Sequence, residues 1–370
     1  DCKLRLYIVG TSIVHVEFSN LQIFEFSNLA DPDIHPRGSN PQIFKSSNLQ
    51  ILNPFQKSLI TPSQIDWLLE GDISIRFQTQ RDLLDNYDID LQKKIQTEGW
   101  VRQLMDLRQQ NGHWGHGFYQ PKWTSTHYTL LELKNMAIYP DNEQIRETLE
   151  LIFRFEKEKD GGINPSGSVK RSDVCINGMV LNYACWFRMQ QIDLESVVDF
   201  LLSQQMADGG FNCHSNRIGA THSSLHTTLS VLEGILEYER NGYQYRLDEL
   251  KKAGISSREF IMMHRFFRSD RTGEVIHPKF LRLVHPCRWY YDILRALDYF
   301  QSGDFPYDER MEEALKILME KQTKDGTWKL AASYPGKTHF QMEKAGLPSR
   351  WNTLRALRVV KRYQNSAFVC

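Results

Sequence analysis

Long apolar runs are missing from this chain. Nowhere in its 370 residues does one approach the roughly 20 residues that a membrane-spanning helix needs. That excludes a helical integral membrane protein. Net charge is missing too: 45 basic and 45 acidic side chains cancel. Broad electrostatic binding to nucleic acid is therefore not expected. Cysteine is scarce, with six residues, too few for a disulfide scaffold. That usage fits a reducing compartment and a cytoplasmic protein, in which a special cysteine is catalytic or metal-bound. No basic stretch followed by an apolar core opens the chain, so no signal peptide is read. A Gly-rich phosphate loop and a dinucleotide fingerprint are absent. So is the Gly-x-Ser-x-Gly elbow of serine hydrolases.

Aromatic residues, by contrast, are plentiful: 8 Trp, 15 Tyr and 20 Phe. Apolar content of 41% and charged content of 24% are ordinary for a globular protein. Residues 1–60 stand apart. Pro32, Pro36, Pro41 and Pro54 interrupt them and helical periodicity is absent. They are read as an irregular extension, with short strands at Arg5–Val9 and Ile13–Phe18. From residue 61 to 370 a single helical domain is expected.

There the apolar residues recur with the helical period. Ile145, Leu149, Ile152 and Phe153 form one stripe, and Met311, Ala314, Leu315, Leu318 and Met319 another. The helices come as a repeat. Each unit has a polar-faced helix, a Gln-rich end, an Asp/Asn-Gly turn with an apolar or aromatic residue, and a more apolar helix. The turns are Asn111-Gly-His-Trp114, Asp160-Gly-Gly-Ile163, Asp208-Gly-Gly-Phe211 and Asp325-Gly-Thr-Trp328. Second helices are expected to start near Ser125, Ser172, Ser223, Cys287 and Ser349, steps of 47, 51, 64 and 62 residues. Glycine permits the left-handed turn after a helix end. The serines are suited to cap the next helix. Stacked helix pairs of this kind build closed or solenoid arrays.

The segments Gln204-Gln-Met-Ala-Asp-Gly-Gly-Phe211 and Lys321-Gln-Thr-Lys-Asp-Gly-Thr-Trp328 resemble the repeats of the terpenoid cyclase and protein prenyltransferase superfamily. The resemblance spans residues 62–363. It implies an all-α fold, an α/α toroid of about five or six helical hairpins, inner helices ringed by outer ones. The loops before the inner helices would then open onto one mouth of a central, aromatic-lined cavity. That suits an apolar ligand with a polar head.

Asp173-Val-Cys175 and His226 carry the sharpest chemistry. Carboxylate, thiolate and imidazole all bind zinc, and three protein ligands leave a catalytic position open. Taken alone, Asp173 is equally a helix cap, Cys175 a small buried hydrophobe, and His226 a hydrogen-bonded polar residue. The Lys170-Arg-Ser-Asp-Val-Cys175 and Leu225-His-Thr-Thr-Leu229 segments resemble the zinc-binding segments of prenyltransferase β subunits. By that resemblance Asp173, Cys175 and His226 hold zinc and Lys170 binds a prenyl diphosphate. His127 stands where a preceding inner helix supplies further contacts. Ile176 follows the cysteine where the family has an aromatic residue, and Gly167 and Ser125 fall where it has Arg and His. The family also requires an α subunit, which this chain does not supply.

The reading is a zinc-dependent, prenyltransferase-like enzyme. A metal-held thiolate or hydroxide attacks a substrate such as an isoprenoid diphosphate. Lys170, Arg171, Arg288 and Arg350 bind an anionic head group. Trp289, Tyr291 and Trp351 face the apolar part. A second group, His277, His285, Cys287 and Asp292, is a lesser metal candidate. The Asp-x-Asp-Asp protonation motif of squalene-type cyclases is absent. Two alternatives remain: a carbohydrate-active toroid, lyase or hydrolase, and a toroid that only binds lipid.

Overall fold

A computed structural model of the chain describes the backbone of residues 6–8 and 14–16 and the structure of 60–165 and 171–367. The chain divides into two units, Asp1–Gln56 and Lys57–Cys370. In the first, β1 (Leu6–Ile8) and β2 (Val14–Val16) pair antiparallel, with Tyr7 opposite His15. These are the two short strands expected there.

The second unit is an α/α toroid. Its outer helices are α1 (Pro62–Leu69), α4 (Gly99–Met105), α6 (Glu143–Phe155), α8 (Gln191–Ser203), α11 (Leu247–Met263) and α13 (Glu312–Glu320). The inner partners that follow them are α2 (Ile73–Leu83), α5 (Thr126–Asn135), α7 (Val174–Trp186), α10 (Leu225–Arg240), α12 (Ile293–Ser302) and α14 (Arg350–Ala367). Two short helices, α3 (Ile89–Lys94) and α9 (His214–Ile218), lie in connections. A two-stranded ribbon pairs β3 (Trp328–Lys329) with β4 (Pro348–Ser349).

The inner ring closes through one named contact after another. Gln78 Nε2 of α2 donates to Asn135 O of α5 at 3.2 Å. His127 of α5 meets the Tyr183 hydroxyl of α7 at 3.2 Å. Arg295 of α12 pairs with Glu233 of α10 at 2.7 Å, and Arg355 of α14 with Asp298 of α12 at 3.1 Å. Arg358 of α14 returns to Asp82 of α2 at 2.6 Å. Between α7 and α10 the backbones touch. A Cβ on Gly234 would sit 2.5 Å from Gly178 O, so neither position has room for a side chain.

The repeat turns out to be a hydrogen-bonded clasp. The amides of Trp114, Phe211 and Trp328 donate to the hydroxyls of Thr126, Thr228 and Thr353 on the following inner helix, at 2.9–3.0 Å. Ile163 uses Asn177 Oδ1 in the same way, at 2.7 Å. The Trp114 and Trp328 indoles donate back to Leu104 O and Leu318 O on the preceding outer helices, each at 2.7 Å. One aromatic residue thus ties turn, outer helix and inner helix together. The repeat glutamines brace the same turns, as Gln322 Nε2 does on Gly326 O at 3.1 Å.

Of the repeat serines, Ser349 caps its inner helix as expected, its hydroxyl accepting the Asn352 amide at 3.0 Å; Ser125, Ser172 and Ser223 do not. Ser172 donates its amide and hydroxyl to Asp160, both at 2.8 Å, and Ser223 does the same to Asp208. In the last unit Glu343 takes that part for Ser349 and for the Arg350 amide. The aspartates of the turns hold the inner-helix starts in place because a carboxylate accepts several donors at once.

Candidate functional site

Inside the inner ring lies a cavity of about 550 Å³. The expectation of an apolar, aromatic-lined funnel is not met there. Arg81, Lys134, Arg240, Arg295, Arg355 and Arg358 line it, with Asp82, Asp85, Glu233, Glu237, Asp298 and Asp304. These charges are matched pairwise. Besides the ring contacts above, Lys134 meets Glu237 at 3.1 Å, Asp85 meets Lys361 at 2.7 Å and Asp304 meets Arg362 at 3.1 Å. The pairing offsets the cost of placing charges in a low-dielectric interior.

Arg288 is the exception among the cavity cations. It lines the cavity, is 8% exposed, and its Nε is buried without a hydrogen-bond partner among the described residues. Its guanidinium lies over the Trp123 ring at 4.4 Å. Its backbone has φ 56°, a left-handed conformation uncommon for a side chain of this size. Burial pulls its pKa below the usual value, against the nearby Glu132 carboxyl.

Glu132 was not singled out from the sequence. It lies on α5 next to the cavity-lining Leu131, though it is not itself among the residues that line the cavity. Its carboxyl makes no hydrogen bond or ion pair among the described residues. Burial raises its pKa from 4.5 to about 7, and the Arg288 cation only partly opposes the rise. An unpaired acid that titrates near neutrality is equipped for proton transfer. Beside these two, Asn182 Oδ1 and Trp351 Nε1 are buried without partners and their residues line the cavity. The Trp351 ring stacks on His285 at 4.6 Å.

Aromatic side chains gather instead at the starts of the inner helices. Tyr290 stacks on Trp289 at 4.0 Å and on Tyr334 at 3.4 Å. Trp123 donates from its indole to Pro335 O at 2.6 Å and packs edge-on against Tyr128. His339, from the same connection as Pro335, reaches the Thr129 hydroxyl at 2.9 Å. The segment between β3 and β4 is thus bound across this end of the ring.

Of the residues expected to bind substrate, Arg288 and Trp351 line the cavity and Trp289 joins the aromatic cluster. The others are placed differently. His127 is fully buried among Phe118, Tyr119, Tyr128 and Tyr183. Burial presses its pKa to about 3, which keeps it neutral, and its Nε2 is buried without a partner among the described residues. Tyr291 is fully buried, with its hydroxyl on Phe266 O at 2.6 Å. Arg350 turns to α1, donating to Trp67 O at 3.0 Å and covering the Trp67 ring. Arg171 is exposed. Lys170 lies outside the described residues.

The expected metal set is split. Asp173 stands at the N-cap of α7 without a side-chain bond to the helix amides. The Cys175 amide donates to Cys213 Sγ at 3.0 Å. The thiol of Cys175 is held up in pKa by its hydrogen bond to Cys213 and by burial. His226 starts the next inner helix, but its Nδ1 accepts the Tyr291 amide at 2.7 Å. Its ring is enclosed by Phe280, Trp289, Tyr290 and Tyr291. Burial, then Arg295, lowers its pKa to about 4. Among the described residues, no three His, Cys, Asp or Glu side chains form a group that could hold a metal ion. That covers the second candidate set too. There Cys287 donates to Val284 O at 2.9 Å and receives Arg355 Nη1 at 3.3 Å. His277 bonds the Lys279 amide at 3.0 Å. Among the described residues, no helix is long and apolar enough to cross a membrane.

No family model matches the chain, and no curated protein does. A solved polysaccharide lyase is similar to it, with a TM-score of 0.39 and 15% sequence identity, over 65% of this chain and 73% of that one. Similarity at this level decides neither activity nor substrate.

Proposed function

We propose that this toroid is a carbohydrate-active enzyme, cleaving a glycosidic linkage by acid–base chemistry in its central cavity. The observation that carries the reading is Glu132, a carboxyl with a pKa near neutral that feels the charge of the cavity-lining Arg288, whose Nε has no partner among the described residues. At neutral pH such a group gives up or accepts a proton readily. The lining supports a hydroxyl-rich ligand over an isoprenoid chain. Paired carboxylates retain acceptor lone pairs for hydroxyls, whereas an apolar chain would strip water from them without replacing its hydrogen bonds. Trp351 and Asn182 line the same space, and each carries a buried polar atom without a partner among the described residues. The test is incubation with a panel of neutral and acidic polysaccharides, following new reducing ends. Cleavage of at least one supports the reading. No cleavage across the panel, with turnover of an isoprenoid diphosphate instead, overturns it.

A second reading keeps zinc. Cys213 brings another thiol to Cys175, so Asp173, Cys175 and Cys213 are the residues nearest to a metal set, and His226 would have to give up its bond to Tyr291. Elemental analysis of protein purified without a chelator tests it. About one zinc per chain, lost in Cys175→Ser, supports a metal centre. Its absence after zinc is supplied removes the proposal.

A further inference from the structure

Arg288 asks for an anion. Its guanidinium presents donors in a fixed fork, yet its Nε has no partner among the described residues and the group lies over the face of Trp123. It is 8% exposed, with Nε wholly buried and unpartnered. A charged group left so costs free energy unless something else satisfies it. The Arg288 backbone is also held left-handed, which places the side chain against its preferred geometry. Strain of this kind persists where the surroundings over-determine a residue, commonly at ligand clamps.

The charge count indicates which anion. The other cavity cations are occupied: Arg81 and Arg358 by Asp82, Arg295 by Glu233, Arg355 by Asp298, and Lys134 and Arg240 by Glu237. One cation is left over, Arg288, and the Glu132 carboxyl that acts on it electrostatically makes no ion pair with it. A diphosphate carries more negative charge than a single guanidinium offsets, and it would stand beside Glu132 as well. A lone carboxylate fits a bidentate fork in both charge and shape.

We infer that the substrate carries a carboxylate, as a uronate-type sugar does, and that this carboxylate seats on Arg288 in the central cavity. The inference rests on the carbohydrate reading and narrows it. Arg288 is then the residue that selects acidic over neutral sugars.

The experiment is calorimetric titration of the full chain with three probes: methyl β-D-glucuronide, methyl β-D-glucoside and inorganic pyrophosphate. The glucuronide is expected to bind roughly 10- to 100-fold more tightly than the glucoside, the range for one charge-assisted pair. Arg288→Gln is expected to abolish that preference. Arg288→Lys, which keeps charge but not the fork, is expected to keep part of it, and it serves if the glutamine variant does not fold. Equal binding of glucuronide and glucoside overturns the acidic-substrate inference and leaves the carbohydrate reading standing. Tighter binding of pyrophosphate, lost in Arg288→Gln, overturns both and returns the cavity to a diphosphate. Binding of neither sugar overturns both as well.

Discussion

Replacing Glu132 by Gln changes the stability of this protein in a way that depends on pH. The carboxyl holds its proton up to about pH 7 in the fold, against 4.5 when unfolded. Between those values the native state binds a proton that the unfolded state has already released. Stability therefore falls as pH rises through the window and is lowest above it. A shift of this size corresponds to up to about 3 kcal/mol, at about 1.4 kcal/mol per pH unit. Gln mimics the protonated acid, so other titrating groups cancel when variant and wild type are compared. At about pH 4 the two should unfold at nearly the same urea concentration, whereas at about pH 8 the variant should be more stable by up to about 3 kcal/mol. A functional acid that weakens its own fold is the usual trade at an active site. The same stability difference at both pH values would refute the reasoning, because it would mean that Glu132 titrates alike in both states.

Two further predictions concern the ring. Gly234→Ala forces a Cβ against the Gly178 carbonyl and should destabilise the fold by about 1–3 kcal/mol in denaturant unfolding; an unchanged midpoint would show that α7 and α10 are not in backbone contact. Trp328→Phe keeps most of the apolar bulk but removes the indole donor to Leu318 O, leaving that carbonyl only the longer bond from the Lys321 amide at 3.3 Å, and should cost about 0.5–1.5 kcal/mol, measured in the same way. A neutral outcome would remove the clasp as the reason for the aromatic residue in the repeat.

The toroid was legible because its cause is local. A helix period and a glycine that permits a left-handed turn recur through the four named turns, with an aromatic residue at a fixed place in three of them (Trp114, Phe211 and Trp328), and each specifies its own surroundings. What Ser172 and Ser223 do was not legible. Ser172 and Asp160 are twelve residues apart, and capping and carboxylate pairing look the same in sequence. The site was harder still. Helices such as α7 are apolar on nearly every face, so period alone does not say which side looks into the ring. Glu132, within Leu130-Leu-Glu-Leu133, reads as one polar residue of an ordinary helix. Only the neighbouring Arg288, 156 positions later in the chain, gives it chemistry. His127 and Tyr291 lie in the core for the converse reason. Their residue types suit a site, but their neighbours bury them. The motif Asp173-x-Cys175 with His226 shows the same limit. Matching residues begin adjacent inner helices, yet the Tyr291 amide and the enclosing rings hold the imidazole to other partners.

The most direct measurement of the central claim is the kinetics of Glu132→Gln and Glu132→Asp on whichever polysaccharide the wild type cleaves. A proton-transfer group contributes roughly 100- to 10,000-fold to rate. The account predicts a fall in kcat of that order for Gln, a partial fall for Asp, and KM within a few-fold of wild type for both. A Glu132→Gln enzyme that turns over at the wild-type rate would contradict it.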